Sequence, residues 1–181
     1  HRLAKARRAQ AAEWAPYAAH GALARLQARH GGEVVLVTQN VDALHEAAGS
    51  RAVMHMHGAL GGALCARCEA RWSAPMMMAT RDACPACGAE ATRPDIVWFG
   101  EMPYGMEEIW QHLEDANVFA AIGTSGNVYP AAAFAQHAGR AGAHTIELNL
   151  EASQNTRDFA ETRLGRASVI VPDWVDAVLG G

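Results

Sequence analysis

The sequence predicts an α/β fold with a parallel, doubly wound sheet, interrupted by a small metal-binding insertion. Three observations carry this. Short β-branched runs alternate with helical patterns along most of the chain. All four cysteines, Cys65, Cys68, Cys84 and Cys87, fall in one C-x2-C-x15-C-x2-C stretch. The 181 residues are 50% hydrophobic and 19% charged, enough for one domain with a real core and a small inserted module.

Residues 15–29 place Ala18, Ala22, Leu23 and Leu26 at helical spacing ahead of Gly31-Gly32, which predicts a helix. Val34 to Thr38 is a short apolar run of the kind that forms a strand buried on both faces. Polar residues follow at once: Gln39, Asn40, Asp42 and His45. The stretch from about 59 to 92 carries the cysteines and reads as loop-rich, with Met76-Met77-Met78 as local packing. Beyond it the pattern predicts a strand at 96–99, a helix near 106–115 and a strand at 118–122. Gly123-Thr124-Ser125-Gly126 then leads into a helix near 130–139, a strand at 145–148 and a helix near 157–164. A strand at 168–171 and a helix from about Asp173 complete the order.

Composition closes several functional classes. The chain is too apolar for disorder, and no apolar run approaches the ~18 residues of a membrane span. A net charge of −4 argues against sequence-independent nucleic-acid binding. The one basic cluster, Lys5 to Arg8, reads as a solvated helix face.

Each CxxC turn can present two thiolates to one tetrahedral centre, and this spacing points to a structural Zn2+ held by all four cysteines. Four thiolates fill the coordination sphere, so the ion would hold a fold together and do no chemistry. Two disulfides fit a chain of this size and composition poorly, and a redox CxxC leaves the second pair unexplained. The thiolate set and the lack of a secretory signal predict a cytoplasmic protein.

In parallel sheets ligands sit at the carboxyl ends of the strands. The residues there are Thr38 to Asp42, Gly123-Thr124-Ser125 and Leu148 to Glu151. Glycine followed by hydroxyl residues at a strand-to-helix turn lets backbone N–H groups approach a phosphate or a ribose. Together these ends point to a nucleotide site, although no GxGxxG is present. Asn40 and Asp42 also suit the capping of a short helix.

The same residues resemble the sirtuin family. Thr38-Gln39-Asn40-Val41-Asp42 with Leu44-His45 is similar to its T-Q-N-[IV]-D-x-L-H motif, and His55-Met56-His57-Gly58 to its H-G element. The two CxxC pairs, Arg93 to Glu101, Gly123-Thr124-Ser125 and Glu147-Leu148-Asn149 follow in the family's order. Gly126-Asn127-Val128-Tyr129-Pro130 looks most like bacterial members of the deacylase branch. The resemblance implies an NAD-dependent protein-lysine deacylase with a Rossmann-like domain at 1–58 and 93–181 and a zinc module at 59–92. It implies that the acyl oxygen of an acylated lysine displaces nicotinamide, releasing O-acyl-ADP-ribose, and that His57 is the base for a ribose hydroxyl. It assigns Asn40 and Asp42 to the nicotinamide pocket, where they count with His57 as catalytic, and Gln39 to the adjoining ribose. Gly123, Thr124, Ser125, Asn149 and Ala167 fall to the phosphates and adenosine ribose. Val97, Phe99, Gly100, Glu101 and Val128 fall to the peptide, added as a strand. His55 and His45 read as structural.

Two departures stand out. The family's first βα unit, with its G-A-G-x-S turn, has no counterpart here, and the chain begins at His1 in what reads as helix, so the expectation is a fragment. The Tyr-x-x-Arg pair that grips negatively charged acyl groups registers on Arg2 and Lys5, which leaves acetyl-lysine open. An NAD-dependent protein ADP-ribosyltransferase and a catalytically silent zinc-ribbon module are the alternatives.

Overall fold

The structure, a computed structural model, describes residues 14–79 and 81–180. The readings placed on Arg2, Lys5 and the basic cluster lie outside these residues. The elements are α1 (Ala18–Arg29), β1 (Val37–Thr38), α2 (Leu44–Ala47), β2 (Met54–His55), β3 (Gly58–Cys65), β4 (Arg71–Ser73) and β5 (Thr92–Ile96). They continue with α3 (Met106–Asp115), β6 (Val118–Ile122), a 3-10 turn (Ala131–Ala133), α4 (Phe134–Ala141), β7 (His144–Asn149), a second 3-10 turn (Thr156–Asp158), β8 (Glu161–Leu164) and α5 (Ala167–Gly180). No helix among the described residues is long and apolar enough to cross a membrane.

The chain forms two compact units. Among the described residues, the first comprises mainly Leu36–Ala47 and Ala52–Gly105. It holds the parallel pair β1–β2 and an antiparallel sheet in the order β4-β3-β5. The cysteine stretch is loop-rich as expected, with its turns anchored on the small sheet of β3, β4 and β5. Its Met76 and Met77 are exposed, so they are not packing residues. The expected strand at 34–38 is only Val37–Thr38. The strand expected at 96–99 lies earlier, at Thr92–Ile96, and pairs antiparallel with β3. The apolar run that suggested it, Val97-Trp98-Phe99, leads instead into a turn closed by the Glu101 N–H on the Trp98 carbonyl.

The second unit comprises Pro16–Val35, Ala48–Arg51 and Met106–Gly181. Its sheet is parallel, in the order β6-β7-β8, with β7 in the middle and Thr145 to Leu148 buried. Helix α4 follows the expected position and ends at Gly142, whose φ of +105° closes it in the left-handed conformation that glycine adopts without strain. Helix α1 buries Ala19, Ala22, Leu23 and Leu26, and packs against α5 with an Arg25–Asp176 ion pair between them. Gln27 bonds to the Val34 and Arg51 carbonyls and accepts the Arg51 N–H, which ties the 48–51 segment to α1.

Two expectations fail at the C-terminal end. Residues 157–164 hold the 3-10 turn and β8, not a helix. Among the described residues strand β8 pairs only with β7, and its Glu-Thr-Arg-Leu sequence carries no apolar signature. Residues 168–171 belong to α5, not a strand. The run Val169-Ile170-Val171 favours strand locally, but Val171, Trp174 and Val175 share one helical face that is buried, and tertiary packing overrides propensity.

Candidate active site and metal site

The two CxxC turns of the first unit are copies of one another. In each, the first cysteine's N–H bonds to the carbonyl five residues on, Cys65 to Ala70 and Cys84 to Ala89, both at 2.9 Å. Its carbonyl accepts the N–H four residues on, from Glu69 and from Gly88. Its Sγ accepts the N–H two residues on, from Arg67 and from Ala86, both at 3.4 Å. The fifth residue is left-handed in both, Glu69 at φ +59° and Gly88 at +70°.

These turns bring the four Sγ atoms within 4.8 Å of one another. Cys65 and Cys87 are 3.8 Å apart and Cys68 and Cys84 3.7 Å. A tetrahedron with Zn–S bonds of 2.3 Å has edges of about 3.8 Å, so the donor set fits zinc and is too open for S–S bonds. The Cys68 and Arg67 N–H groups lower the Cys65 thiol to about 7. The Ala70 N–H favours the Cys68 thiolate, but hydrogen bonding with the Cys87 thiol and burial push Cys68 up to about 12. Zinc binding to such a set releases protons.

The nicotinamide-side candidates lie in the same unit. Strand β1 runs parallel to β2, with Thr38 opposite His55. Four successive carbonyls beyond Val37 are held by one segment. Thr38 accepts the Met56 N–H at 3.1 Å, Gln39 bonds to His57 Nδ1 at 3.0 Å, Asn40 to His55 Nδ1 at 3.3 Å, and Val41 accepts the Leu60 N–H at 2.7 Å. Within the loop, Thr38 Oγ1 accepts the Asn40 N–H and Asp42 Oδ1 the Leu44 N–H. Asp42 thus has the capping role open to it from sequence.

A carbonyl on His57 Nδ1 selects, for the neutral ring, the tautomer with the hydrogen on Nδ1 and the lone pair on Nε2. The His57 carbonyl in turn accepts the Val97 N–H at 2.9 Å. Gly58 sits at φ +79°, and a Cβ there would lie 2.1 Å from the Asp95 oxygen. Only glycine fits beside this histidine, which gives the H-G pair a steric cause.

The adenosine-side candidates lie in the second unit. Gly123 turns left-handed at the end of β6 and donates to Leu148. Asn149 Nδ2 donates to the Thr124 carbonyl at 2.6 Å, and Ser125 accepts the Gln154 N–H. The loop after β6 and the loop after β7 are thereby joined. Ala167 is the first residue of α5. The peptide candidates divide: Val97, Phe99, Gly100 and Glu101 lie in the first unit and Val128 in the second. Phe99 is wholly exposed, with Trp98 and Met102 exposed near it in sequence.

The family model described as the Sir2 family matches residues 2–130. The chain belongs to the Sir2 family. This sirtuin is 48% identical over 181 residues to the NAD-dependent protein deacylase of Salmonella typhimurium, an alignment that covers 98% of this chain and 66% of that protein. It is 48% identical to the NAD-dependent protein deacylase of Caulobacter vibrioides, over 96% of this chain and 75% of that one. A solved structure of a mutant Sir2 homologue in complex with ADP-ribose superposes with a TM-score of 0.87 at 34% identity, covering 97% of this chain and 72% of that chain. The sirtuin chain thus spans just under two thirds of the Salmonella relative.

Sequence reading placed Arg93 and Glu147 within motifs but gave neither a role in this sirtuin's candidate site. Arg93 bonds both oxygens of Glu101, at 2.6 and 2.8 Å, and its guanidinium lies 3.7 Å from the Trp98 ring centroid. That clamp shapes the Phe99-Gly100 turn, and Glu101 is held at about 2 by Arg93 and by the Trp98 N–H. Glu147, fully buried on β7, accepts from the Ser153 N–H, Thr156 Oγ1 and Asn149 Nδ2. Burial would raise its pKa, but the Ser153, Thr156 and Asn149 donors outweigh that and lower it. A buried Glu between apolar residues was the available signal, since such a group must be satisfied.

Proposed function

We propose that this sirtuin removes acyl groups from protein lysines at the expense of NAD, releasing nicotinamide and O-acyl-ADP-ribose. The observation that carries the reading is His57. Its ring is pinned through Nδ1 on the Gln39 carbonyl, which leaves Nε2 as a base beside the Thr38–Asp42 loop. The deacylase relatives and the ADP-ribose complex of a structural neighbour support it. NAD supplies an electrophilic ribose carbon once nicotinamide departs. The chain supplies position and a proton acceptor: Asn40 and Asp42 at the nicotinamide, Gln39 at its ribose, and His57 Nε2 taking the proton of a ribose hydroxyl. Gly123, Thr124, Ser125, Asn149 and Ala167 take the phosphates and adenosine ribose. Val97, Phe99, Gly100, Glu101 and Val128 take the acylated peptide, and the exposed Phe99 supports strand-like addition there.

In this reading residues 59–92 are the zinc module, inserted between Rossmann-like segments 1–58 and 93–181, and the ion is structural. Free thiols poised for zinc support a cytoplasmic location. The net charge of −4 supports a protein partner over nucleic acid.

The test is product analysis with NAD and acetyl- and succinyl-lysine peptides. Deacylated peptide, nicotinamide and O-acyl-ADP-ribose are expected, and His57→Ala should lower kcat by about 100-fold or more with zinc content unchanged. ADP-ribose left on protein would mean transfer instead, and unchanged activity of His57→Ala would overturn the mechanism.

A further inference from the structure

The His55 ring, which reads from sequence as structural, makes two contacts that together demand a function. Its Nδ1 lies 3.3 Å from the Asn40 carbonyl and its Nε2 2.7 Å from Glu46 Oε1. Both partners are acceptors, so both contacts are hydrogen bonds only when each ring nitrogen carries a hydrogen. A neutral ring keeps one of them. The carboxylate of Glu46 lies on α2 and offers Nε2 a charged acceptor. The three groups come from three places in the chain: the loop after β1, helix α2 and strand β2.

The pair differs from its neighbours in the clamp. The Thr38 and Val41 carbonyls are held by backbone N–H groups and the Gln39 carbonyl by His57, the candidate base itself. Asn40 alone is held by a side chain that has no other assignment, and Asn40 is exposed, so its backbone has little packing to fix it. The side chain of His55 is largely covered while that of Glu46 is partly exposed.

We propose that Glu46 and His55 form a positioning pair that fixes the Asn40 carbonyl and so sets the nicotinamide end of the site. This rests on the deacylase reading above. His55 touches neither reacting atom; it acts through Asn40. The consequence is selective: what depends on nicotinamide recognition should move, and what depends on the acyl peptide should not.

The experiment uses the intact, zinc-loaded protein and the variants His55→Ala, Glu46→Ala, Glu46→Gln and the double alanine variant. The readouts are KM for NAD, inhibition by added nicotinamide, KM for the acyl peptide, and amide hydrogen exchange. Loss of one charge-assisted hydrogen bond predicts that each alanine variant raises both KM for NAD and the half-inhibitory nicotinamide concentration by about tenfold. The KM for peptide should move by less than about twofold. Glu46→Gln, whose side-chain amide N–H can donate to Nε2 of a ring that keeps its Nδ1 hydrogen on the Asn40 carbonyl, should return to within about threefold of the parent. The double variant should be no worse than either single one, as for residues acting as a unit. Amide exchange at residues 39–44 should rise in the alanine variants while β3 and β4 stay protected.

Unchanged NAD and nicotinamide dependence overturns the proposal, as does a parallel rise in both KM values or an additive double variant. The exchange measurement needs no turnover. If the parent protein shows no NAD-dependent deacylation, the functional reading falls and the nicotinamide role falls with it. Exchange unchanged in Glu46→Ala and His55→Ala overturns the pair on its own account.

Discussion

Glu101 illustrates how one side chain can carry both a charge clamp and a backbone turn. It bonds both terminal nitrogens of Arg93 and also accepts the Trp98 N–H, so removing its charge loosens the turn that displays Phe99. Its carboxyl titrates at about 2, below the ordinary 4.5. A folded value below the unfolded one means the stabilisation is complete above about pH 4.5 and is lost as the pH falls toward 2. The pair is partly exposed, so solvent screening keeps the effect small. Glu101→Gln is expected to lower Tm by about 1–3 °C at pH 7, with the difference from the parent vanishing near the acid end of that window in thermal melts.

At the scale of elements, β7 is the strand on which the second unit depends. It pairs in parallel with β6 and β8 and carries Glu147 into the core, where an acceptor-only carboxylate meets three donors. Glu147→Gln turns an amide N–H2 toward those donors and should cost about 1–3 kcal/mol in urea unfolding. Elements that sequence made legible share a simple local cause. Helices α1, α3 and α4 and strands β6 and β7 lie within a few residues of expectation because apolar spacing and glycine punctuation agree with burial. Elements that were illegible owe their form to partners distant in sequence. Strand β5 exists because β3 offers its edge, β8 because β7 does, and α5, expected from about Asp173, already begins at Ala167 because its Val171-Trp174-Val175 face is buried. The site divides similarly. Motif residues, Arg93 and Glu147 among them, were readable as types, whereas the contacts through which Arg93, Glu46 and Glu147 act follow from no spacing.

For the molecule as a whole, the division into two units separates two kinds of dependence. All four cysteines, His57 and the Thr38–Asp42 loop lie in the first unit, and the β6-β7-β8 sheet lies in the second. Removal of zinc by a chelator is therefore expected to strip amide protection from β3, β4 and β5 while β6 and β7 remain protected, read by hydrogen exchange and mass spectrometry. On the deacylase reading, activity should vanish with the metal, because His57 immediately precedes β3, the strand that ends in Cys65. Simultaneous loss of protection in both sheets would contradict this division.

The four held carbonyls from Thr38 to Val41 also bear on the thermodynamics of ligand capture. A loop whose backbone acceptors are already satisfied has given up its conformational freedom during folding, before any ligand arrives. Binding at its side chains then carries little further ordering cost, which is the energetic meaning of preorganisation. On the deacylase reading, discrimination then falls to the side chains of Gln39, Asn40 and Asp42. Asp42 also holds the Leu44 N–H, so on that reading Gln39 and Asn40 are the side chains whose exchange would alter recognition with the backbone frame kept.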